Sequence, residues 1–221
     1  MAYFIKGERK MNINVKKFFC RFLLILMFFV EQVGLAFALI KVKNLIGIIL
    51  LLVSVISVIF LQIWYQKLTN VKLSHFSKHI KTIVFLLIIL LITEEVISQF
   101  SSTSANQQFI NHMLKDQNTK WIMTVLGIVI APIVEEGAFR TGIMGNTKHP
   151  IILGTVSTML FVCGHMVSTN QSLISFALNI TAYALISVVL CFLYYRTKDW
   201  RVNTVFHISW NLLAFVTSAI F

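Results

Sequence analysis

The chain has 221 residues, of which 57% are hydrophobic and only 12% are charged. Soluble domains are nearer half apolar and a quarter charged, so this composition excludes an ordinary soluble domain and indicates a polytopic membrane protein. The net charge of +11 does not indicate a nucleic-acid partner, because the Lys and Arg residues lie in short segments between apolar runs. The three cysteines form no disulfide framework and no metal-type spacing, and we interpret them as packing residues.

Seven apolar runs predict an all-α bundle of about seven membrane-spanning helices. Residues 1–21 predict a basic cytoplasmic tail, and 22–221 a single transmembrane domain whose motif-bearing core is 121–221. The segment 101–120 is rich in Ser, Asn, Gln and Thr and predicts a polar loop. The apolar runs cover, in chain order, about 22–40, 45–65, 82–100, 121–143, 151–167, 173–195 and 203–221.

The first run contains Ala36-Phe37-Ala38, which resembles a signal-peptidase site. The run is long for a signal peptide, contains Glu31 and is followed by another span, so we expect residues 1–38 to be retained. Glu31 would lie near the middle of the bilayer, which predicts that it faces the bundle.

The distribution of basic residues predicts the orientation. With the N-terminus inside, 14 of the 19 Lys and Arg residues fall in the inside segments and four in the outside segments, with Arg140 set aside. Since cytoplasmic loops carry an excess of Lys and Arg, the bias favours an N-in, C-out bundle.

The fourth run ends in Glu135, Glu136 and Arg140, where a bilayer-spanning helix should carry no charge. Glu136 and Arg140 are four residues apart with the acid first, the favoured order for a helical ion pair. Glu135 lies about 100° round the helix from Glu136 and is free to face another group. Pro132 cannot donate to the carbonyl of residue 128, so the helix can bend there.

Other polar residues lie inside apolar runs as well. His165 is in the fifth run, and His207 and Asn211 share one helix face in the seventh. A second acidic pair, Glu94-Glu95, has no arginine four residues on and no proline before it, and we interpret it as a helix end that reaches the lipid headgroups.

The order Glu-Glu-x-x-x-Arg, Phe-x-x-x-His and His-x-x-x-Asn resembles the CPBP family of intramembrane proteases. That family includes the CAAX prenyl endopeptidases and bacterial bacteriocin-processing or self-immunity (Abi) proteins. Its motifs correspond here to Glu135, Glu136, Arg140, Phe161, His165, His207 and Asn211. The resemblance implies an endopeptidase of the bacterial cell membrane that cuts a peptide or membrane-associated protein.

The residue chemistry is consistent with peptide hydrolysis. A partly desolvated Glu135 could act as general base and then as general acid. The resemblance implies that His207 and Asn211 stabilise the oxyanion. It also implies that His165 positions the water or protonates the amine. Glu136 and Arg140 would pair and hold the helix end.

Two other functions remain open. A binding or bacteriocin-immunity protein could keep this fold without catalysis, and an ion- or proton-coupled transporter could use the intramembrane carboxylates. The substrate and the oligomeric state do not follow from the sequence.

A zinc site at Glu135, His165 and His207 is the less favoured possibility, because no His-Glu-x-x-His motif is present and three helices would have to converge. We therefore expect no required cofactor. On straight helices the three side chains would lie roughly 14, 22 and 8 Å from the inner edge. They converge only if the fifth span is tilted or starts inside the membrane, and we expect 141–150 to dip into the bilayer or lie along its inner surface.

Overall fold

The computed structural model describes residues 12–39, 44–71, 75–117, 119–166 and 171–220. These residues are 88% helical and contain no strand, which confirms the all-α class. The helices are α1 (Ile13–Ala38), α2 (Asn44–Thr69), α3 (Ile80–Ser98), α4 (Ala105–Lys115), α5 (Lys120–Met144), α6 (Pro150–His165), α7 (Leu173–Thr197) and α8 (Trp200–Ile220).

Two of these helices differ from the prediction. Helix α1 begins at Ile13, nine residues before the predicted apolar run, so the basic residues Lys16, Lys17 and Arg21 lie on helix. Helix α4 lies inside the segment predicted to be a loop. The other predicted runs agree with helices α2, α3 and α5 to α8 to within four residues at each end.

Helix α4 forms because a short polar segment still carries the signals of an amphipathic helix. Ser104 caps it, since its hydroxyl accepts from the backbone N–H of Gln107 at 3.2 Å. Ile110, Met113 and Leu114 follow at helical spacing and pack on α5.

Helices α1 and α2 form a tightly packed pair. At Gly47 the two backbones approach so closely that an added Cβ would lie 2.1 Å from the backbone nitrogen of Ala38. Only glycine allows this approach, and it draws α2 against the end of α1.

Helix α5 lies at the centre of the bundle and carries most of the polar motif. Its side chains contribute to one apolar cluster with α1 and α2, around Leu24, Val58 and Val134. A second cluster joins α3, α7 and α8 around Leu190, Phe206 and other buried side chains. Glu136 bonds to side chains of α8 and Arg140 to a side chain of α7, so the motif on α5 lies between the two clusters.

Two stretches of α5, Leu126–Ile130 and Glu136–Met144, are π-helical. In the first, the N–H of Ala131 donates to the carbonyl of Leu126, five residues back. In this register the proline removes the donor for the carbonyl of Gly127, not for that of Ile128 as predicted from α-helical spacing.

Four described helices are long and apolar enough to cross a membrane by length and composition: α1, α2, α5 and α7. Helix α6 is apolar but has only 16 residues. These helices indicate a membrane protein, whereas the count of seven spans and the N-in, C-out orientation remain predictions.

Candidate active site

A cavity of about 470 Å³ opens beside the motif on α5. Its wall includes Glu135, His165, His207 and Asn211, which come from α5, α6 and α8. Four of the six residues predicted to form the site therefore share one cavity, while Glu136 and Arg140 lie behind them, almost completely buried.

Glu135 lies between the two histidines. Its Oε1 is 3.7 Å from Nε2 of His165, and its Oε2 is 3.7 Å from Nε2 of His207. Glu135 is 7% exposed and His207 is 3% exposed, so the three groups meet in a largely desolvated place that still borders the cavity. Such separations are too long for direct hydrogen bonds, so these polar atoms remain available to a water molecule that enters from the cavity.

Each histidine is oriented by a partner at its other ring nitrogen. Nδ1 of His165 is 2.8 Å from the carbonyl oxygen of Phe161, and its ring stacks on the ring of Phe161 with centroids 4.2 Å apart. Nδ1 of His207 is 3.1 Å from Oε1 of Glu136. Both partners are acceptors, so Nδ1 carries the proton, and a neutral ring presents a lone pair at Nε2 towards Glu135.

Glu136 and Arg140 form the predicted ion pair, with Nε of Arg140 3.3 Å from Oε2 of Glu136. Both side chains are completely buried, so the pair needs further hydrogen bonds to offset its desolvation. The guanidinium donates to Ser157 at 2.6 Å and to Ser187 at 3.1 Å, and Nη1 is 3.4 Å from Sγ of Cys191. Cys191, predicted to be only a packing residue, thus also contacts the charge.

Asn203 is a site residue that the sequence analysis missed. Its Nδ2 donates to Oε2 of Glu136 at 3.0 Å and to the carbonyl of Leu190 at 2.6 Å. Asn203, His207 and Asn211 are spaced by four residues on α8, so the same helical periodicity that linked the last two identifies the first.

Asn211 lies on the cavity wall, and its Nδ2 donates to the carbonyl of Gly127 at 2.8 Å. This bond uses one of the two amide protons and leaves the other for a ligand. The predicted oxyanion donor is therefore held in place by the π-helical part of α5.

The segment 141–150, predicted to dip into the bilayer or lie along its inner surface, is partly helical in the structure. Thr141, Gly142 and Met144 continue α5 and are buried in the bundle. The turn itself begins at Gly145, which has a positive φ of 51° and donates to the carbonyl of Arg140 at 2.8 Å. Helix α6 then starts at Pro150 and carries His165 at its last residue, next to Glu135.

The donor types Glu, His and His match a zinc ligand set. Across the part of the chain that the structure describes, however, no group of three or more His, Cys, Asp or Glu side chains is gathered closely enough to hold a metal ion.

Comparison with known protein families gives a match over part of the chain. Residues 117–213 match the family model described as type II CAAX prenyl endopeptidase Rce1-like. The predicted family is confirmed for this part of the chain. No curated protein and no solved structure matches the chain.

The Rce1-like segment includes all six predicted site residues and Asn203. The family points to a protease. Part of the cavity wall lies outside the segment: Glu31 of α1 and Glu94 and Glu95 of α3 line the same cavity as Glu135. Glu94 is half-buried and Glu95 is exposed near the end of α3, so their interpretation as a helix end that reaches the lipid headgroups stays a prediction.

Proposed function

We propose that this protein is an intramembrane endopeptidase that hydrolyses a peptide bond through a water molecule activated by Glu135. The observation that carries the proposal is the position of the Glu135 carboxylate, 3.7 Å from Nε2 of both His165 and His207 at the wall of a 470 Å³ cavity. A general base needs a protonatable group and space for water and substrate, and this site offers both.

The proposed reaction begins with a water molecule in the cavity, beside Glu135 and the histidines. Glu135 takes a proton from the water, and the oxygen of the water attacks the carbonyl carbon of the peptide. The C–N bond of the tetrahedral intermediate then breaks, and Glu135 returns the proton to the leaving amine nitrogen. His165 accepts from the same water through Nε2 and fixes its position.

The oxyanion would be stabilised from α8. The free amide proton of Asn211 donates to it. His207 can also donate from Nε2 when its ring carries both protons, while its Nδ1 donates to the carboxylate of Glu136. In this proposal Glu136, Arg140 and Asn203 position His207 and do not touch the substrate.

We propose a peptide or a membrane-associated protein as the substrate, cut in a bacterial cell membrane near the cytoplasmic leaflet by a bundle with seven spans, N-in and C-out. The apolar helices and the basic segments support a membrane protein. A nucleic-acid partner is not part of the proposal.

The test is cleavage by the full chain, purified in detergent and placed in nanodiscs. Mass spectrometry would identify products from a peptide library and from the membrane fraction of cells with and without the protein. We expect products with the wild type and none with Glu135→Gln. Proton uptake by vesicles containing the protein, without any cleavage, would instead favour a transporter. Full cellular function of Glu135→Gln would favour a non-catalytic binding or immunity protein.

A further inference from the structure

The cavity wall has a one-sided charge. Glu31, Glu94, Glu95 and Glu135 line it, and no Lys or Arg among the described residues does. Carboxylates that share a low-dielectric cavity repel one another and attract any cation that enters. A cationic group that binds beside Glu135 would therefore stabilise the charged form of these carboxylates.

Glu31 is the most buried of the carboxylates outside the motif. It is 1% exposed, and its Oε2 accepts from the side-chain amide of the adjacent Gln32 at 2.8 Å. No cationic partner is described for it within the ranges that the structure covers. Buried carboxylates are normally paired with a cation, and a cationic ligand in this cavity could supply that partner for Glu31.

The walls around Glu31 and Glu94 combine apolar side chains with polar ones such as Gln32 and Ser98. On α1, Glu31 lies one turn from Phe28 and one turn from Leu35, and all three line the cavity. On α3, Glu94 follows Leu91 by one turn in the same wall. Apolar side chains beside a carboxylate suit the long side chain of Lys or Arg, which has an apolar stem and a charged tip.

We propose that Glu31 and Glu94 select substrates with a Lys or Arg side chain close to the scissile bond. This inference rests on the proposed peptidase function and adds the chemical class of the substrate. The cationic tip would pair with Glu31 and Glu94 while the neighbouring peptide bond lies against Glu135. A peptide with Glu at the same position would be repelled.

The test uses a peptide that the wild type cleaves. Each position near its scissile bond is replaced in turn by Lys, Gln or Glu, and kcat/KM is measured in nanodiscs. At one position or more, we expect Lys to be cut about tenfold faster than Gln, and Glu to be cut more slowly than Gln. Equal rates for all three at every position would overturn the proposal.

Variants then assign the effect to the two carboxylates. Glu31→Gln and Glu94→Gln should each reduce the Lys-to-Gln ratio about fivefold. Glu94→Arg should favour the Glu peptide instead, and it tests the idea on a partly exposed side chain if Glu31→Gln accumulates poorly. Ser98→Ala removes an uncharged polar group from the same wall and should leave the Lys-to-Gln ratio unchanged. A ratio that none of the charge changes alters would contradict the assignment.

The outcomes separate the two proposals. If the wild type and Glu135→Gln cut no peptide of any charge, the peptidase function fails. If the wild type cuts peptides without a preference for Lys or Arg, the peptidase stands and only the substrate class is wrong.

Discussion

The side-chain amide of Asn211 donates to the carbonyl of Gly127 at 2.8 Å and replaces the hydrogen bond that Pro132 cannot make. The π-helical register directs this carbonyl to residue 132, and proline has no N–H. The Asn211 side chain thus supplies a hydrogen bond to a backbone carbonyl of α5 and also places an amide proton at the cavity.

Replacing Asn211 should therefore have two separable effects. Asn211→Ala should lower kcat by about 10²- to 10³-fold through the lost oxyanion donor. It should also cost about 1–3 kcal/mol of stability, because the carbonyl of Gly127 loses its partner. In a Pro132→Ala background the new N–H can bond that carbonyl, so thermal unfolding in detergent should show a smaller penalty while the loss of kcat persists. Equal stability penalties in both backgrounds would contradict this account.

Glu135→Gln should lower turnover by about 10²- to 10⁴-fold, the usual contribution of a general base. The protein should still insert and accumulate, because the apolar helices are unchanged. Val129→Ala, an exposed position on the same helix, is the matched control and should keep wild-type turnover. Normal turnover by purified Glu135→Gln would exclude this carboxylate as the base.

Arg140→Met should reduce accumulation more than the other motif changes. It leaves Glu136 buried without its cation, a loss on the order of 3–5 kcal/mol. The double variant Glu136→Gln with Arg140→Met should accumulate better than Arg140→Met alone, measured by immunoblot of membranes. A double variant no more abundant than the single one would mean that the ion pair does not stabilise this part of the bundle.

Two glycines allow contrasting substitutions, one at the cavity and one at the contact between α1 and α2. An added Cβ at Gly164 meets no atom within 4 Å, and this residue lines the cavity. Gly164→Leu should therefore accumulate normally and slow the cleavage of bulky peptides more than small ones. Gly47→Ala should impair accumulation, since its Cβ would lie 2.1 Å from the Ala38 nitrogen. Unchanged size selectivity in Gly164→Leu would show that substrates do not pass this wall.

Hydrolysis should not depend on a metal. We expect activity to survive exhaustive chelation, with well under one zinc per chain in the purified protein. Activity that disappears with a strong chelator and returns with stoichiometric zinc would make His165 and His207 ligands, with Glu135 as the third.

The apolar runs predicted most helix positions, because a helix in lipid or in a protein core needs a long run of hydrophobic residues. They placed the start of α1 too late, since a helix continues through Lys16, Lys17 and Arg21 wherever its backbone bonds are satisfied. Helix α4 was missed because only three side chains form its packing face. In both cases the helix includes residues that lie outside the apolar runs.

Spacing along one helix predicted the pairs that a single element defines, as for Glu136 with Arg140. It could not predict the contact between Asn211 and Gly127, which depends on a π-helical register and on the approach of α8 to α5. Nor could it place Glu31 in the same cavity as Glu135, because that relation depends on how separate helices pack. The role of Asn203 was within reach of the sequence.

The contacts of Arg140 also bear on how the protein is made. The ion-pair partner lies on the same helix, but the hydroxyls that complete its hydrogen bonds are at Ser157 and Ser187, 17 and 47 residues later in the chain. When α5 leaves the ribosome, its guanidinium therefore lacks these acceptors until α6 and α7 have been synthesised. Helix α5 should remain at the insertion machinery during that interval, and nascent chains ending before α7 should crosslink to that machinery longer than chains that include it.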